Sequence, residues 1–125
     1  LVVRDFNEAF ARCDVIAGPT SPVSGVRLGA RLSDPLQMYL MDTYTIPANL
    51  AGLPCASVPC GHDEHGLPVG LQLIAKALDE ATLLQVAHGL ESARPSSSLK
   101  PDLDALVAAG PPRGARRPQG EEAPR

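Results

Sequence analysis

This chain has few aromatic residues and few cysteines. Trp is absent, aromatic residues make up 3% of the 125 residues, and the only thiols are Cys13, Cys55 and Cys60. The sequence therefore predicts a core of aliphatic side chains. Three irregularly spaced cysteines do not indicate a disulfide framework, so we expect reduced thiols and a cytoplasmic protein.

The sequence also lacks a signal peptide, a long uninterrupted apolar run and a strong net charge. The formal net charge is −3 at pH 7, which gives no reason to expect direct attraction of the whole chain to nucleic acid or to a membrane surface. The most charge-poor stretch is interrupted by prolines and does not fit a membrane-spanning helix. We therefore predict no membrane contact.

That charge-poor stretch is the 26-residue segment from Leu36 to Gly61, in which Asp42 is the one charged side chain. Such a segment is expected inside a protein, because exposing it would forfeit the hydrophobic gain of folding. A carboxylate in those surroundings needs a partner, since burying an unpaired charge is costly. Two interpretations of Asp42 are open: a structural ion pair or backbone cap, and a ligand-binding carboxylate that faces a cationic group such as an ammonium.

The order of the predicted elements indicates an α/β protein. Apolar spacings of three and four residues predict helices, and short apolar runs between turn residues predict strands. The elements are a helix over 1–13, a strand over 14–17, a helix from Pro35 to Asp42 or Thr43, a short helix over 47–52, a buried strand over 55–60, a hairpin loop over 61–66, a strand over 67–76 and a helix from Glu80 to Ala93, capped by Asp79.

The chain divides into residues 1–93, which carry these elements, and residues 94–125, which are rich in Pro, Ser, Gly and Arg. The second part is expected to be disordered apart from a short helix over 101–109. Three strands leave open sheet edges, and the first helix starts in mid-pattern at Leu1. We therefore expect the chain to be a portion of a longer domain with further strands upstream.

Two pairs of residues are candidates for metal or redox chemistry. His62 and His65 could begin a metal site, but a solvated hairpin tip is the favoured interpretation. Cys55 and Cys60 fit neither a zinc site nor a redox pair, and are expected to be small buried residues. No metal site is predicted.

Two further residues are candidates for nucleophile or base. Ser57 lacks a nucleophile-elbow pattern, so we expect a strand serine that is hydrogen-bonded to backbone. His88 lies within the last helix and is expected to be half-buried. Neither residue is predicted to be catalytic.

The segments DPLQMYLMDTYTIPANLAGLPCASVPCG and GLPVGLQLIAKALDEATLLQVAHGLE, with DFNEAF and DVIAGPTSPV before them, resemble the C-terminal part of the amidase signature family. The resemblance covers residues 1–93. It is strongest to the branch of glutaminase subunits that serve mischarged Glu-tRNA(Gln) or Asp-tRNA(Asn). It implies the C-terminal part of an α/β/α sandwich with a mixed sheet, incomplete in this chain.

The resemblance also implies a function. Members of this branch release ammonia from glutamine with two serines and a lysine, and pass it to a partner protein that amidates the tRNA-bound residue with ATP and Mg²⁺. The segments that hold the two serines and the lysine do not occur here, so no catalytic residue is assigned and the chain alone is expected to be inactive. The family aspartate that maps onto this sequence is Asp42, which would bind the α-ammonium of glutamine.

The implied partners are amidotransferase subunits of the B and C types. The tRNA would be reached through one of these partners, and this chain would bind no cofactor. Two other functions stay open at this point. One is hydrolysis of a different amide by another amidase, and the other is a non-catalytic assembly module.

Overall fold

The computed structural model describes residues 1–25, 35–93 and 102–109. The order of helices and strands predicted from the sequence is confirmed. The elements are α1 (Val2–Phe10), β1 (Val15–Pro19), α2 (Pro35–Met41), α3 (Ile46–Ala51), β2 (Cys55–His62), β3 (Pro68–Ala75), α4 (Glu80–Ala93) and α5 (Leu103–Ala109).

The three strands form one antiparallel sheet with the order β1-β3-β2. The last of the described strands is therefore the central one. β2 and β3 form a hairpin, with Ser57 opposite Gln72 and a register shift between Pro59 and Gly61. β1 pairs with the other edge of β3, where Gly18 lies opposite Gln72. Three residues, one from each strand, thus lie in a row across the sheet.

One face of the sheet is covered by α4. Alternate residues of a strand point to opposite faces, and Leu73 and Ala75 of β3 join Val58 of β2 and Leu83 of α4 in a buried cluster. Burial of such aliphatic side chains stabilises the fold by about 1.5–3 kcal/mol each. The aliphatic core expected from the scarcity of aromatic residues is present here.

The other face is covered in part by α1 and α3. Ile74 of β3 packs with Phe10 of α1 and Ala48 of α3, and Ile16 of β1 lies against the same cluster. Helices on both faces give three α/β/α layers, as the sequence predicted. Both described strand pairings are antiparallel, so the described strands hold no parallel pairing of the kind a mixed sheet contains.

Local signals set the ends of two helices. The Asp79 carboxylate accepts a hydrogen bond from the Thr82 amide at 3.3 Å, which caps α4 as predicted. α3 ends at Gly52, whose φ of 67° is left-handed, a conformation that glycine adopts without the penalty a Cβ carries. These two helix ends are therefore set by residues that are close to them in sequence.

The expectation that the segment 36–61 is buried holds for Ala48 and Val58 but is wrong for the segment as a whole. Leu36 is 60% exposed and Tyr39 is 66% exposed. β2 is an edge strand, and Cys55, Ser57 and Pro59 are exposed along its face opposite α4. A low charge content predicts burial only where another layer covers the segment, and the described elements cover only parts of this one: α4 lies over Val58, and α1 lies against Ala48.

The predicted disorder of residues 94–125 lies outside the described residues, except over the last helix. There, α5 occupies the position of the short helix expected over 101–109, and the Ala105 amide donates to the Asp102 carboxylate at 2.9 Å. Among the described helices, none has both the length and the apolar character that crossing a bilayer requires.

Candidate functional site

On the sheet face opposite α4, the side chains change from apolar to polar along the strands. Its row Ile16–Ile74–Cys55 is apolar and lies at the end that α1 and α3 cover. The next row, Gly18–Gln72–Ser57, is polar or has no side chain. This second row is therefore polar but not uniformly open: Gln72 is only 5% exposed, whereas Ser57 is exposed.

The hydroxyls of Thr20 and Ser57 meet above this row. Thr20 follows the last residue of β1, and its amide donates to the Gly70 carbonyl at 3.2 Å, which extends the pairing with β3. The Thr20 Oγ1 and Ser57 Oγ atoms lie 2.7 Å apart, a hydrogen bond in which either group can be the donor. Because β1 and β2 are separated by β3, the two side chains reach each other across the central strand.

Gly70 makes this contact possible. A Cβ at that position would lie 2.6 Å from Ser57 Oγ and 3.0 Å from Thr20 Oγ1. Contacts that short are excluded by van der Waals repulsion, so any side chain at residue 70 would separate the hydroxyls. The missing side chain of the central strand is what allows two edge strands to share a hydrogen bond.

A cleft of ≈ 380 Å³ opens over the hydroxyl pair. The cleft is lined by Ser57, Val69 and Gly70 of the sheet and by the segment 20–24 that follows β1. None of these described lining residues carries a charge, and Pro22, Val23 and Val69 contribute apolar surface. The volume lies within the usual range of small-molecule pockets.

The carboxylate of Asp63 ties the wall of the cleft to the β2–β3 turn. Ser24 Oγ donates to one of its oxygens. The amides of His65 and Leu67 each donate to the other oxygen at 2.8 Å. The hydrogen bond from Ser24, followed by that from Leu67, lowers the pKa of Asp63, since these donors favour the ionised form.

Asp42, the substrate-binding residue that the resemblance implies, lies in the turn between α2 and α3. Its backbone carbonyl accepts hydrogen bonds from the amides of Ile46 at 3.0 Å and Thr45 at 3.1 Å. Its side chain is exposed, which corrects the expectation of a buried charge. Within the described part of the chain its carboxylate forms no hydrogen bond or ion pair, so the structural ion pair considered above is not found there.

The cysteines differ from their predicted environment. Cys55 is exposed, and Cys13 and Cys60 are only partly buried. Desolvation raises the pKa of the Cys55 thiol, and a hydrogen bond with Gln72 partly opposes this rise. A raised pKa keeps the thiol protonated and therefore unreactive. The expectation of small buried cysteines is wrong for Cys55, because the edge of the sheet leaves it open.

The histidines lie apart from the residues that line the cleft. His62 and His65 are exposed at the hairpin, as the plain-loop interpretation predicts, and His65 lies 3.6 Å from Glu64. His88 is exposed on α4, so the prediction of a half-buried side chain is wrong. Across residues 1–25, 35–93 and 102–109, no group of three or more His, Cys, Asp or Glu side chains could hold a metal ion.

The hydroxyl pair was not anticipated from the sequence, which predicted a backbone hydrogen bond for Ser57. Thr20 and Ser57 are 37 residues apart, and their contact depends on β1 and β2 both pairing with β3. The available signal was weak: a small polar residue at the end of one strand, another within the next, and a glycine in the third. These residues lie close together because of the register in which β1 and β2 pair with β3. That register could not be predicted without knowing the sheet order.

Comparison with known proteins gives matches over most of the chain. The Amidase family model matches residues 1–84. The A subunit of the glutamyl-tRNA(Gln) amidotransferase of Prochlorococcus marinus is 59% identical over 93 residues, which are 74% of this chain and 19% of that protein. The protein of the same name from Brevibacillus brevis is 48% identical over 102 residues, which are 82% of this chain and 21% of that protein.

Solved structures of similar fold are less similar in sequence. A 6-aminohexanoate cyclic dimer hydrolase is 28% identical with a TM-score of 0.61, over 81% of this chain and 24% of the hydrolase. A vestigial protein complex that reveals the evolutionary origins of an s-triazine catabolic enzyme is 26% identical with a TM-score of 0.63, over 73% of this chain and 21% of that one. The chain spans about a fifth of the length of the curated relatives that it matches.

Proposed function

This chain belongs to the amidase family, and on that premise we propose that it is part of a glutaminase subunit that releases ammonia from glutamine to amidate mischarged Glu-tRNA(Gln) or Asp-tRNA(Asn). The observation that supports this choice within the family is the difference in sequence identity. The chain is 59% identical to the A subunit of a glutamyl-tRNA(Gln) amidotransferase, but 28% identical to an amidase that hydrolyses a cyclic dimer.

The same proposal includes a complex. A protein that is named as one subunit of an enzyme acts with other subunits, and the partners proposed here are B-type and C-type amidotransferase subunits in the cytoplasm. One of these partners would use ATP and Mg²⁺ and would contact the tRNA. This chain would contribute sheet strands and substrate recognition.

The role proposed for Asp42 is to bind the α-ammonium of glutamine. An exposed carboxylate with no described partner is free to accept such a cation. The nucleophile, the second serine and the lysine are not assigned to any residue of this chain. We therefore expect the purified 125-residue chain to release no ammonia from glutamine above a buffer blank, and measurable release would contradict this part of the proposal.

The test of the whole proposal is a grafted subunit. In it, the matching segment of this chain replaces that of the Prochlorococcus relative, and the product is assembled with that organism's partner subunits. We expect glutamine-dependent amidation of mischarged tRNA. A grafted subunit that assembles and amidates with ammonium chloride, but fails with glutamine, would contradict a glutaminase role. Hydrolysis of other amides in preference to glutamine would instead indicate a different amidase.

Asp42→Asn in the grafted subunit tests the ligand role. The change keeps the size and removes the charge, and losing one partner of a desolvated charge pair should lower the glutamine-dependent rate at low substrate roughly 30-fold or more. Activity with ammonium chloride should be unchanged, because ammonia bypasses glutamine. Asp5→Asn, at an exposed position on α1, is the matched control and should change neither rate.

Equal losses with glutamine and with ammonia, accompanied by a lower melting temperature, would mean that Asp42 supports the structure. A non-catalytic assembly module would show no dependence of either rate on Asp42.

A further inference from the structure

A second cleft lies at the edge strand β2, beside the end of α4. Its volume is ≈ 200 Å³, and it is lined by Val58, Pro59 and Cys60 of β2, Leu71 of β3 and Leu90 of α4. None of these lining residues carries a charge. Leu71 and Leu90 also pack against the buried cluster that contains Val58, whereas Pro59 is exposed. The cleft is therefore an apolar extension of the core beneath α4 that reaches the surface.

The short helix α5 presents an apolar side to solvent. Leu103 and Val107 lie four residues apart, and therefore on the same side of the helix, and they are 65% and 81% exposed. A helix of seven residues is too short to be stable in water by itself, and most helices in proteins owe their stability to the packing of an apolar face. The Asp102 carboxylate caps the first turn through the Ala105 amide, but a cap supplies only part of this stability. We therefore expect α5 to need a surface that covers Leu103 and Val107.

The connection between α4 and α5 keeps this apolar side within reach of the cleft. α4 ends at Ala93, three residues after Leu90, and nine residues, 94–102, separate it from α5. At about 3.3–3.6 Å per residue, a connection of that length spans at most about 30 Å. Short tethers give effective concentrations of about millimolar, so even a weak apolar contact within one chain is occupied.

Charge distinguishes this cleft from another apolar groove of the molecule. A groove of ≈ 380 Å³ beside α1 is lined mainly by apolar residues but includes Asp5. α5 carries Asp104 in its first turn and Asp102 as its cap. Docking beside α1 would bring these carboxylates toward that of Asp5, and like charges repel. The cleft at Leu90 has no charged lining residue and is closer to α5 along the chain.

We propose that α5 docks on the cleft at the end of α4, with Leu103 and Val107 against Pro59, Cys60 and Leu90. The occupant is thus residues 103–109 of the same chain. An apolar cavity of about 150 Å³ accommodates a benzene ring, so a cleft of ≈ 200 Å³ has room for a leucine side chain. Docked in this way, α5 extends the layer that α4 forms over the sheet. The contact does not depend on the proposed glutaminase function, and α5 lies beyond residues 1–84, which the Amidase family model matches.

Cys60 reports on this contact, because docking covers it. The experiment is alkylation of the full chain with N-ethylmaleimide, with the rate at each cysteine measured by mass spectrometry. We expect Leu103→Asp/Val107→Asp to accelerate alkylation of Cys60 about 3-fold or more, as for a site that is closed at least two thirds of the time. Cys55 lies on the opposite face of the sheet, so its rate is the internal control and should not change. Ala105→Asp adds a carboxylate away from the Leu103–Val107 side of α5 and should leave both rates as in the wild-type chain.

Equal Cys60 rates in the wild-type chain and the double variant would overturn the proposal. A change that Ala105→Asp reproduces, or that Cys55 shares, would also overturn it, because the effect would then be general. Protection of Cys60 that grows with protein concentration would mean that a second copy supplies the helix, which contradicts docking within one chain. Hydrogen exchange gives a second measurement: the amides of residues 103–109 should exchange about 3-fold or more slowly in the wild-type chain than in the double variant. Equal exchange in the two chains would contradict the docking of α5.

Discussion

Beneath α4 the sheet presents Val58 and Leu73 to a buried aliphatic cluster, whereas its other face changes from Ile74 to Gln72 and Gly70 along the same strand. Both faces obey the same alternation of side chains. They differ in what covers them: α4 lies along one, and α1 and α3 cover only one end of the other. The comparison teaches that the alternation of side chains along a strand does not by itself determine whether a sheet face is part of the core. A face becomes a core where a helix closes it, and stays accessible where no described helix does.

The largest expected effect comes from removing a buried side chain from the face beneath α4. Leu73 is 1% exposed, and Leu73→Ala leaves a cavity beneath α4, so we expect the free energy of unfolding to fall by about 2–5 kcal/mol. Urea unfolding of the chain, followed by far-ultraviolet circular dichroism, measures this. Leu84→Ala, at a position on α4 that is 64% exposed, is the control and should cost far less. Similar losses in the two variants would mean that the α4 face is not closed.

A smaller effect is expected on the open face. Gly70→Ala brings a Cβ to 2.6 Å from Ser57 Oγ, and relieving that contact should cost about 1–3 kcal/mol in the same unfolding measurement. The double variant Gly70→Ala/Ser57→Ala removes the hydroxyl that is too close and should recover part of the loss. Gly18→Ala should be nearly neutral. If Gly70→Ala were as mild as Gly18→Ala, the two hydroxyls would not meet over the central strand.

The smallest effect concerns the edge of the cleft and depends on pH. The pKa of Asp63 is lowered in the folded chain from its ordinary value of 3.8 by the hydrogen bonds from Ser24 and Leu67. The carboxylate therefore contributes stability that is fully present above the unfolded pKa and is lost as pH falls through the lower folded pKa. The effect is small because the group is open to solvent.

Urea midpoints of the wild-type chain and of Asp63→Asn, measured from neutral to strongly acidic pH, provide the test. The wild-type chain should be the more stable at neutral pH, and the difference should close below the ordinary carboxyl range. A difference that is constant with pH would mean that the Asp63 charge does not hold the wall of the cleft.

The local structure of this chain could be predicted from its sequence, but which residues are buried between neighbouring elements could not. Asp79 and Gly52 set helix ends through groups within a few residues of them, so the neighbouring residues were sufficient. The α/β class followed from the order of the elements, and the α/β/α layering was implied by the resemblance to the amidase signature family. Burial of Cys55 and His88 was mispredicted, because exposure depends on whether a further layer lies above a residue, and a charge-poor or helical pattern does not contain that information.

The residues of the candidate site also differ in whether they could be predicted from the sequence. Asp42 was identified from a motif that is contiguous in sequence, and its role remains a proposal. The Thr20–Ser57 pair could not be identified in this way, because it requires the sheet order and the register of β1 and β2 on β3. A glycine in a strand was the one local sign, and a glycine there has several possible meanings.

The central position of the last strand also has a consequence for the order of folding. The β2–β3 hairpin joins residues that are close in sequence and can form early. β1 and β3 are far apart in sequence: the ion pair between Asp14 and Lys76, near their ends, joins residues that are 62 positions apart. Contacts across such separations form late, because closing a long loop costs entropy before any contact repays it. The cleft needs β1 in place, so we expect it to be assembled only after β1 has docked on the hairpin.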